Sequence, residues 1–256
     1  MPNTTPILEV KDLGIDFGGL TAVNDLDLEI YPNEIVGLIG PNGAGKTTVF
    51  NMLTKVYTPT RGTIKLNGVD TAKMSTIEVN EAGIARTFQN IRLFMNMSVL
   101  DNVLTGMHRD GEYSIFTSLF RLPKFYVQER MMKEKALQLL EIMDLKDDKD
   151  TLAGNLPYGA QRRLEIARAL ATNPKLLLLD EPAAGMNPQE TEELMETIRF
   201  VRDHFKLAVL LIEHDMKLVM GICERITVLN FGTMLAQGNA EEIRNNKEVI
   251  KAYLGE

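Results

Sequence analysis

One stretch of nine residues constrains the fold and the chemistry of this chain more than any other. It consists, in order, of Gly40, Pro41, Asn42, Gly43, Ala44, Gly45, Lys46, Thr47 and Thr48. An apolar run typical of a buried strand precedes it at 35–39, and residues 49–53 can continue a helix that begins at Lys46. This order of strand, glycine-rich loop and helix, with the spacing G-x-x-x-x-G-K-[ST], is that of a phosphate-binding loop.

The residue types in this loop predict how it holds phosphates. Gly43 and Gly45 allow several backbone N–H groups to converge on one anion, and the N-terminus of the following helix adds a partial positive charge. We expect Lys46 to reach the outer phosphates and the Thr47 hydroxyl to ligate Mg²⁺. The sequence therefore predicts that residues 40–48 bind a nucleoside triphosphate.

Composition narrows the class of protein. The chain has 256 residues, of which 45% are apolar, and its net charge of −7 argues against a nucleic-acid partner, since such proteins usually carry a basic face. The single cysteine, Cys223, excludes an internal disulfide, and its apolar neighbours predict core packing. No segment has the roughly 18 apolar residues that span a bilayer, and residues 1–7 do not resemble a signal peptide. We expect a soluble, cytoplasmic protein that reaches a membrane only through partners.

The first third of the chain is predicted to be rich in strands. Residues 7–10 and 26–30 alternate apolar and polar side chains, as half-exposed antiparallel strands do. Residues 63–66, followed by a turn at 67–68, add a strand to the same layer. Phe17 precedes two glycines, and two roles stay open for it, core packing or stacking on a purine ring.

Residues 90–170 are predicted to form a mostly helical subdomain. Ser98 is a candidate N-cap, an apolar stripe predicts a helix at about 125–143, and an amphipathic pattern predicts another at 161–172. Residues 109–123 are irregular and indicate an insertion. Nearer the C-terminus, we expect a helix at 189–204, a hairpin over 226–236 and a capping box that begins the last helical segment; the capping pair is Asn239 and Glu242.

Three further apolar segments are predicted strands, at 84–88, 176–179 and 208–212. Polar residues follow each of them, and these are Gln89, Asp180, Glu181 and His214. Open α/β sheets bind their ligands at the carboxyl ends of their strands. We therefore expect these side chains to gather beside the phosphate-binding loop.

Each of these residues has a predicted role in phosphoryl chemistry. Asp180 can hold Mg²⁺ through water, because Mg²⁺ keeps several waters and takes one or two carboxylates. Glu181 can act as the general base on the attacking water. Gln89 can complete the metal shell begun by Thr47 and sense the γ-phosphate, and His214 can donate to that phosphate or orient the water. Positioning and charge neutralisation suffice for this reaction.

Over essentially its whole length the chain resembles the ATP-binding cassette (ABC) ATPase family. The matching parts are the Walker A loop at 40–48, the Q-loop at Gln89, the Walker B segment at 176–181, the D-loop at 184–187, the switch histidine at His214 and the A-loop aromatic at Phe17. The resemblance implies an α/β fold of the P-loop NTPase class: a RecA-like parallel-sheet core with an antiparallel β-subdomain, at 7–89 and 171–256, and a helical subdomain at 90–170. It also implies that two cassettes sandwich two ATP molecules with Mg²⁺.

The family's signature sequence, Leu-Ser-Gly-Gly-Gln, is altered in this chain. In its place stand Leu156, Pro157, Tyr158, Gly159 and Ala160, followed by Gln161, so that only the leucine and one glycine remain. The resemblance assigns residues 158–161 to the ATP held by the opposite cassette. Pro157 has neither an N–H nor a hydroxyl, so it cannot make the serine's contact with the γ-phosphate. Two interpretations stay open: a heterodimer with unequal sites, or a site in which the helix dipole and the Gly159 N–H suffice.

Local segments narrow the resemblance further. Residues 86–94, 158–168, 211–221 and 242–255 resemble the LivG-type ATPases of branched-chain amino acid importers. Similar segments occur in urea-import and lipopolysaccharide-export cassettes, so these cargoes remain alternatives. The resemblance implies an ATP-hydrolysing subunit at the cytoplasmic face of the membrane. Its implied partners are two transmembrane permease subunits, a second ATPase subunit (identical or different) and an extracytoplasmic substrate-binding protein.

Two other classes of protein fit the sequence less well. Soluble cassettes that act on DNA or ribosomes usually carry two cassettes, a coiled-coil insertion or a basic face, whereas this chain has one cassette, no heptads and an acidic pI near 5.2. A small-molecule kinase or GTPase could use the same loop, but Glu181 after the Walker B strand and His214 argue against it.

Overall fold

The computed structural model describes residues 5–107 and 123–254. The chain divides into two compact units, one of Met1–Gln89 with Lys175–Glu256 and the other of Asn90–Pro174. The insertion predicted at 109–123 lies outside the described residues, apart from residue 123, which begins a helix.

The first unit contains two sheets. The ten strands of the described residues are β1 (Leu8–Phe17), β2 (Leu20–Ile30), β3 (Ile35–Ile39), β4 (Arg61–Leu66), β5 (Val69–Asp70), β6 (Ile84–Arg86), β7 (Leu176–Asp180), β8 (Ala208–Ile212), β9 (Arg225–Asn230) and β10 (Thr233–Gly238). The larger sheet has the order β10-β9-β3-β8-β7-β6. It is parallel except at β10, which pairs antiparallel with β9. The smaller sheet, β2-β1-β4-β5, is antiparallel.

The parallel sheet is built from the apolar runs that the sequence marks. β3, β7 and β8 are buried at all five of their residues, as expected of strands in a parallel sheet covered on both faces. In the register of β7 and β8, Asp180 pairs with Ile212. The carboxyl ends of these strands therefore lie at one edge, where β3 leads into the phosphate-binding loop.

The antiparallel sheet contains a longer hairpin than the alternating pattern predicts. β1 and β2 pair from Leu8 opposite Ile30 to Phe17 opposite Leu20, with register shifts along the way. Asp12 and Asp25 have positive φ values of 49° and 48°, and these polar interruptions hide the continuity of the two strands in the sequence. The apolar side chains of this sheet share one core cluster with those of β3, β7 and β8.

Nine α-helices lie within the described residues. They are α1 (Lys46–Leu53), α2 (Thr76–Ala82), α3 (Val99–Met107), α4 (Pro123–Ile142), α5 (Tyr158–Leu170), α6 (Pro188–Phe205), α7 (Met216–Ile222), α8 (Ala240–Asn245) and α9 (Lys247–Leu254). The capping box predicted at Asn239 and Glu242 is present at the start of α8, and Asn187 with Glu190 forms another before α6. No helix of the described ranges is both long enough and apolar enough to cross a bilayer.

The second unit contains α3, α4 and α5. The helix predicted from residue 161 begins three residues earlier, because Pro157 occupies the N-cap position with φ −56° and ψ 154°. Residues 158–161 therefore form the first turn of α5. Farther along α5, a buried ion pair joins Arg162 Nη1 to Glu165 Oε2 at 2.8 Å.

Candidate active site

The phosphate-binding loop leads into the N-terminus of α1, which is open to an anion. Gly45 is the N-cap of α1 in a left-handed conformation, with φ 99°, and as a glycine it has no side chain that could cap the helix. The first turn of α1 contains no acidic residue. The first N–H groups of a helix have no intrahelical acceptors, so those of α1 are available to phosphate oxygens.

The loop is held where its glycines touch neighbouring strands. Gly40 has φ 150°, and a Cβ placed on it would lie 2.1 Å from the carbonyl oxygen of Leu229. A Cβ on Gly45 would lie 2.8 Å from the carbonyl oxygen of Ala22. Any side chain at either position would collide with backbone, so the close packing of the loop against β9 and β2 requires glycine.

Lys46 makes its hydrogen bonds within the loop. Its Nζ donates to the carbonyl oxygens of Gly40 at 2.7 Å and Pro41 at 2.9 Å. Burial lowers the pKa of the Lys46 ammonium, and the negative charges of Glu181 and Asp180 oppose that effect. The ammonium is thus held beside the loop backbone and within electrostatic reach of both acidic residues.

The metal-binding residues that the sequence predicts fit a Mg²⁺ site completed by phosphates. Thr47 is exposed, and its hydroxyl bonds no other described residue. Within the described ranges, no group of three or more histidine, cysteine and acidic side chains could hold a metal by itself. Mg²⁺ is usually bound through one or two carboxylates together with waters and substrate phosphates. A hydroxyl and a single carboxylate, Asp180, are appropriate protein ligands for such a site.

Glu181 has an unusual backbone conformation. It follows the last residue of β7 with φ 46°, and its N–H donates to the carbonyl oxygen of Ile212 at 2.9 Å. Positive φ values are uncommon outside glycine and concentrate at functional sites. The hydrogen bond to β8 holds the carboxylate at the edge where the strands end.

Two other predicted residues meet the Glu181 carboxylate. Gln89 Nε2 donates to Glu181 Oε2 at 2.7 Å, and His214 Nδ1 lies 3.7 Å from the same oxygen. The His214 side chain is 64% exposed. The structure therefore brings Gln89, Glu181 and His214 together, as expected from their positions after three neighbouring strands.

Glu213 supports this group and was not identified from the sequence. Its buried carboxylate accepts a hydrogen bond from Ala183 N at 2.8 Å through Oε1, and from His214 N at 2.9 Å and Asp215 N at 3.2 Å through Oε2. It therefore joins the segment after β7 to the segment after β8. A glutamate directly after a wholly apolar strand is the signal that could have indicated it.

Arg86 was also missed, and it contacts Asp180. Arg86 Nη2 lies 2.7 Å from Asp180 Oδ2, and the two side chains are only 8% and 6% exposed. Arg86 Nη1 donates to Asn51 Oδ1 of α1 at 2.7 Å. Its position as a cation inside the apolar segment 84–88 is a signal for a buried partner of opposite charge.

Phe17 lies at the end of β1 and is 43% exposed. Its ring meets Tyr57 edge to face, with centroids 5.3 Å apart and an interplanar angle of 73°. The core-packing interpretation was wrong, since nearly half of the side chain is accessible. Purine stacking remains a prediction for this ring.

The signature residues belong to the other unit. Tyr158 is exposed, Gly159 is half-buried, Ala160 is buried, and Gln161 Nε2 donates to the carbonyl oxygen of Leu156 at 2.9 Å. Their assignment to the ATP of an opposite cassette remains a prediction. These residues form the first turn of α5, and the N–H groups at the start of a helix have no intrahelical acceptors.

Comparison with known proteins identifies the family. A family model described as "ABC transporter" matches residues 23–184, and one described as "Branched-chain amino acid ATP-binding cassette transporter" matches residues 233–256. The high-affinity branched-chain amino acid transport ATP-binding protein LivG of Escherichia coli (strain K12) is 51% identical over 251 residues, which is 98% of each chain. BraF of Pseudomonas aeruginosa, with the same description, is 49% identical with the same coverage.

A solved structure agrees with these relatives. The ADP conformation of MJ1267, described as an ATP-binding cassette of an ABC transporter, superposes with a TM-score of 0.86 and 30% identity, covering 99% of this chain and 100% of that one. The resemblance and the P-loop α/β fold predicted from the sequence are confirmed. The chain belongs to the ABC transporter family, as one of its ATPases.

Proposed function

We propose that this chain is the ATP-hydrolysing, energy-coupling subunit of an importer for branched-chain amino acids, with leucine, isoleucine or valine as cargo. Two observations support the cargo. The family model that matches residues 233–256 is described as a branched-chain amino acid transporter cassette. Relatives that are about half identical over almost the whole chain are named as branched-chain amino acid transport proteins.

The observation that carries the hydrolytic role is the group around Glu181. Its carboxylate accepts from Gln89 and lies near His214, at the edge where β3 leads into the phosphate-binding loop. Glu181 can take a proton from water, while Gln89 and His214 hold the carboxylate and the water in place. Lys46 supplies positive charge beside the loop, and bound Mg²⁺ would neutralise charge on the phosphates. Thr47, Asp180 and Gln89 are the residues proposed to hold that ion.

The remaining nucleotide contacts and the partners belong to the same proposal. The loop residues 40–48 hold ATP, Phe17 stacks on its base, and residues 158–161 contact the ATP of a second cassette. Two permease subunits provide the membrane path, so this chain lies at the cytoplasmic face of the membrane through them. An extracytoplasmic binding protein selects the cargo.

Substitution of Glu181→Gln tests the hydrolytic role. The variant should bind ATP normally, hydrolyse it about 100-fold or more slowly, because a positioned general base contributes that much, and accumulate as an ATP-bound dimer. ATP binding, phosphate release and size-exclusion elution are measured together. Glu192→Gln is a matched control, since Glu192 is an exposed acid on α6 paired with Lys217. Normal turnover by Glu181→Gln would overturn the general-base assignment.

Reconstitution tests the cargo. The chain is assembled in liposomes with candidate permease subunits, a second ATPase and a substrate-binding protein from the same organism, and uptake of radiolabelled leucine is compared with uptake of urea. Leucine uptake that requires ATP and is lost in Glu181→Gln supports the proposal. Urea uptake alone, or no uptake of either compound, would contradict the branched-chain cargo.

A further inference from the structure

Arg86 is a buried cation that reaches the end of the neighbouring strand. It is the last residue of β6 and pairs in register with Leu178 of β7, yet its guanidinium extends to Asp180, two residues farther along. Arg86 Nη2 lies 2.7 Å from Asp180 Oδ2. Among the described residues, no donor contacts Asp180 Oδ1, so one carboxylate oxygen is held and the other is available.

The same guanidinium is attached to the helix that follows the phosphate-binding loop. Arg86 Nη1 donates to Asn51 Oδ1 at 2.7 Å and lies 3.5 Å from Thr54 Oγ1. Its Cζ lies 5.5 Å from the ring centroid of Phe50 and 5.2 Å from that of Phe88, the residue directly before Gln89. Arg86 therefore contacts α1, the end of β7 and the segment that leads to Gln89.

These contacts exceed what a stabilising ion pair needs. A buried ion pair is by itself weak evidence for stability, because desolvation offsets most of the attraction. The planar fork of arginine can hold Asp180 and Asn51 at once through different nitrogens, which the single ammonium of lysine cannot reproduce with the same geometry. The three elements joined by this fork carry Thr47, Asp180 and Gln89, the three residues proposed to hold Mg²⁺.

We propose that Arg86 is a positioning residue for the Mg²⁺–nucleotide complex: it holds Asp180 through Oδ2, leaves Oδ1 for the water shell of the metal, and fixes that carboxylate relative to α1. The inference rests on the proposed nucleotide site. Groups that orient a metal's ligands from outside its inner shell commonly change metal affinity by about 10- to 100-fold when they are removed.

The test measures how much Mg²⁺ strengthens ADP binding. The full chain is titrated with fluorescent ADP, once with Mg²⁺ and once with EDTA, and the ratio of the two dissociation constants is the Mg²⁺ effect. ADP avoids turnover, so the readout does not depend on activity. Arg86→Met should reduce the ratio about 10-fold or more while the dissociation constant in EDTA stays within about twofold. Arg86→Lys should give a partial loss.

A second variant leaves the buried ion pair intact. Asn51→Ala removes the other anchor of the guanidinium, and it should reduce the Mg²⁺ effect by several-fold without leaving a buried charge unpaired. This variant therefore tests the positioning role of Arg86 even if Arg86→Met fails to fold. Circular dichroism and melting temperature accompany every variant.

The control is Arg225→Met. Arg225, the first residue of β9, lies in the same unit. It forms a bidentate ion pair with Glu34, with both N–O distances at 2.9 Å. It should lose stability and keep the wild-type Mg²⁺ effect. An equal reduction in this control, or an unchanged ratio in both Arg86→Met and Asn51→Ala, would overturn the role of Arg86. Absence of ADP binding by the wild-type chain in EDTA and in Mg²⁺ would instead overturn the proposed function.

Discussion

The side-chain amide of Gln89 donates a 2.7 Å hydrogen bond to Glu181 Oε2, which joins the segment after β6 directly to the residue after β7. The two residues are 92 positions apart in the chain. Gln89 is the last residue of the first segment of its unit, directly before the unit formed by Asn90–Pro174. The contact therefore ties the proposed general base to the position where the chain leaves that unit.

Replacing Gln89 should slow hydrolysis more than it weakens nucleotide binding. We expect Gln89→Ala to lower the hydrolysis rate about 10-fold or more, because a group that positions the general base is lost, while ADP affinity in EDTA is unchanged. Phosphate release and fluorescent ADP titration measure the two effects. Gln237→Ala is the control, since the Gln237 side chain donates to Thr227 Oγ1 on the neighbouring strand β9 and takes no part in the proposed site. An unchanged hydrolysis rate in Gln89→Ala would contradict the role assigned to this contact.

Lys46→Ala should weaken ATP binding. The substitution removes the ammonium beside the loop and its hydrogen bonds to Gly40 and Pro41. Charge-assisted hydrogen bonds to phosphate are about twice as strong as neutral ones, and we expect ATP affinity to fall about 10-fold or more, as measured by equilibrium titration. Lys55→Ala, which removes a half-buried lysine just after α1 whose Nζ donates to the Ala72 carbonyl oxygen, should bind ATP normally. Unchanged ATP binding by Lys46→Ala would overturn the interpretation of the loop.

Gly40→Ala should destabilise the fold at the phosphate-binding loop. The added Cβ would lie 2.1 Å from the Leu229 carbonyl oxygen, and overpacking of this kind costs about 1–3 kcal/mol in free energy of unfolding, with left-handed strain in addition. Gly68→Ala is the matched control, because Gly68 has φ 78° but nothing within 4 Å of the added Cβ. Urea unfolding of both variants separates collision from backbone strain. If both variants lost the same free energy of unfolding, the collision with Leu229 would not be the cause of the destabilisation in Gly40→Ala.

Cys223 should be unreactive in the folded protein. Burial raises the pKa of the Cys223 thiol, and the thiolate is the reactive form. We expect maleimide to label the native chain at pH 8 about 10-fold or more slowly than the chain unfolded in concentrated urea, where the thiol regains its ordinary pKa near 8.5. Mass spectrometry follows the reaction. Equal rates in the two states would contradict the burial of this side chain.

The same shift predicts a change in stability with pH. Since the pKa is raised on folding, the contribution of the protonated thiol is fully present below about pH 8.5 and is lost as the pH rises above that value. Cys223→Ala should remove this part of the alkaline decline in melting temperature. A decline of equal size in both proteins above pH 9 would assign it to other groups.

Much of the parallel sheet and its edge could be predicted from the sequence, because apolar runs bounded by polar residues are local signals. The strand at Ala208–Ile212 has the predicted bounds, and the capping box at Asn239 begins α8 as expected. Helix α2 was not predicted, although Ser75 and Glu78 form a capping box that could have indicated it. The pairing of Arg86 with Asp180 depends on which strands become neighbours, and no local pattern contains that information.

The three hydrogen bonds accepted by Glu213 determine how His214 can move. The backbone N–H groups of His214 and Asp215 donate to the same buried carboxylate as the N–H of Ala183. The main chain that carries His214 is therefore anchored to the segment after β7. The imidazole, in contrast, is mostly exposed, and exposed side chains change rotamer readily. The response to the γ-phosphate that we propose for His214 would therefore be a rotation of its ring on a fixed backbone, and it would require no hinge in the loop that carries it.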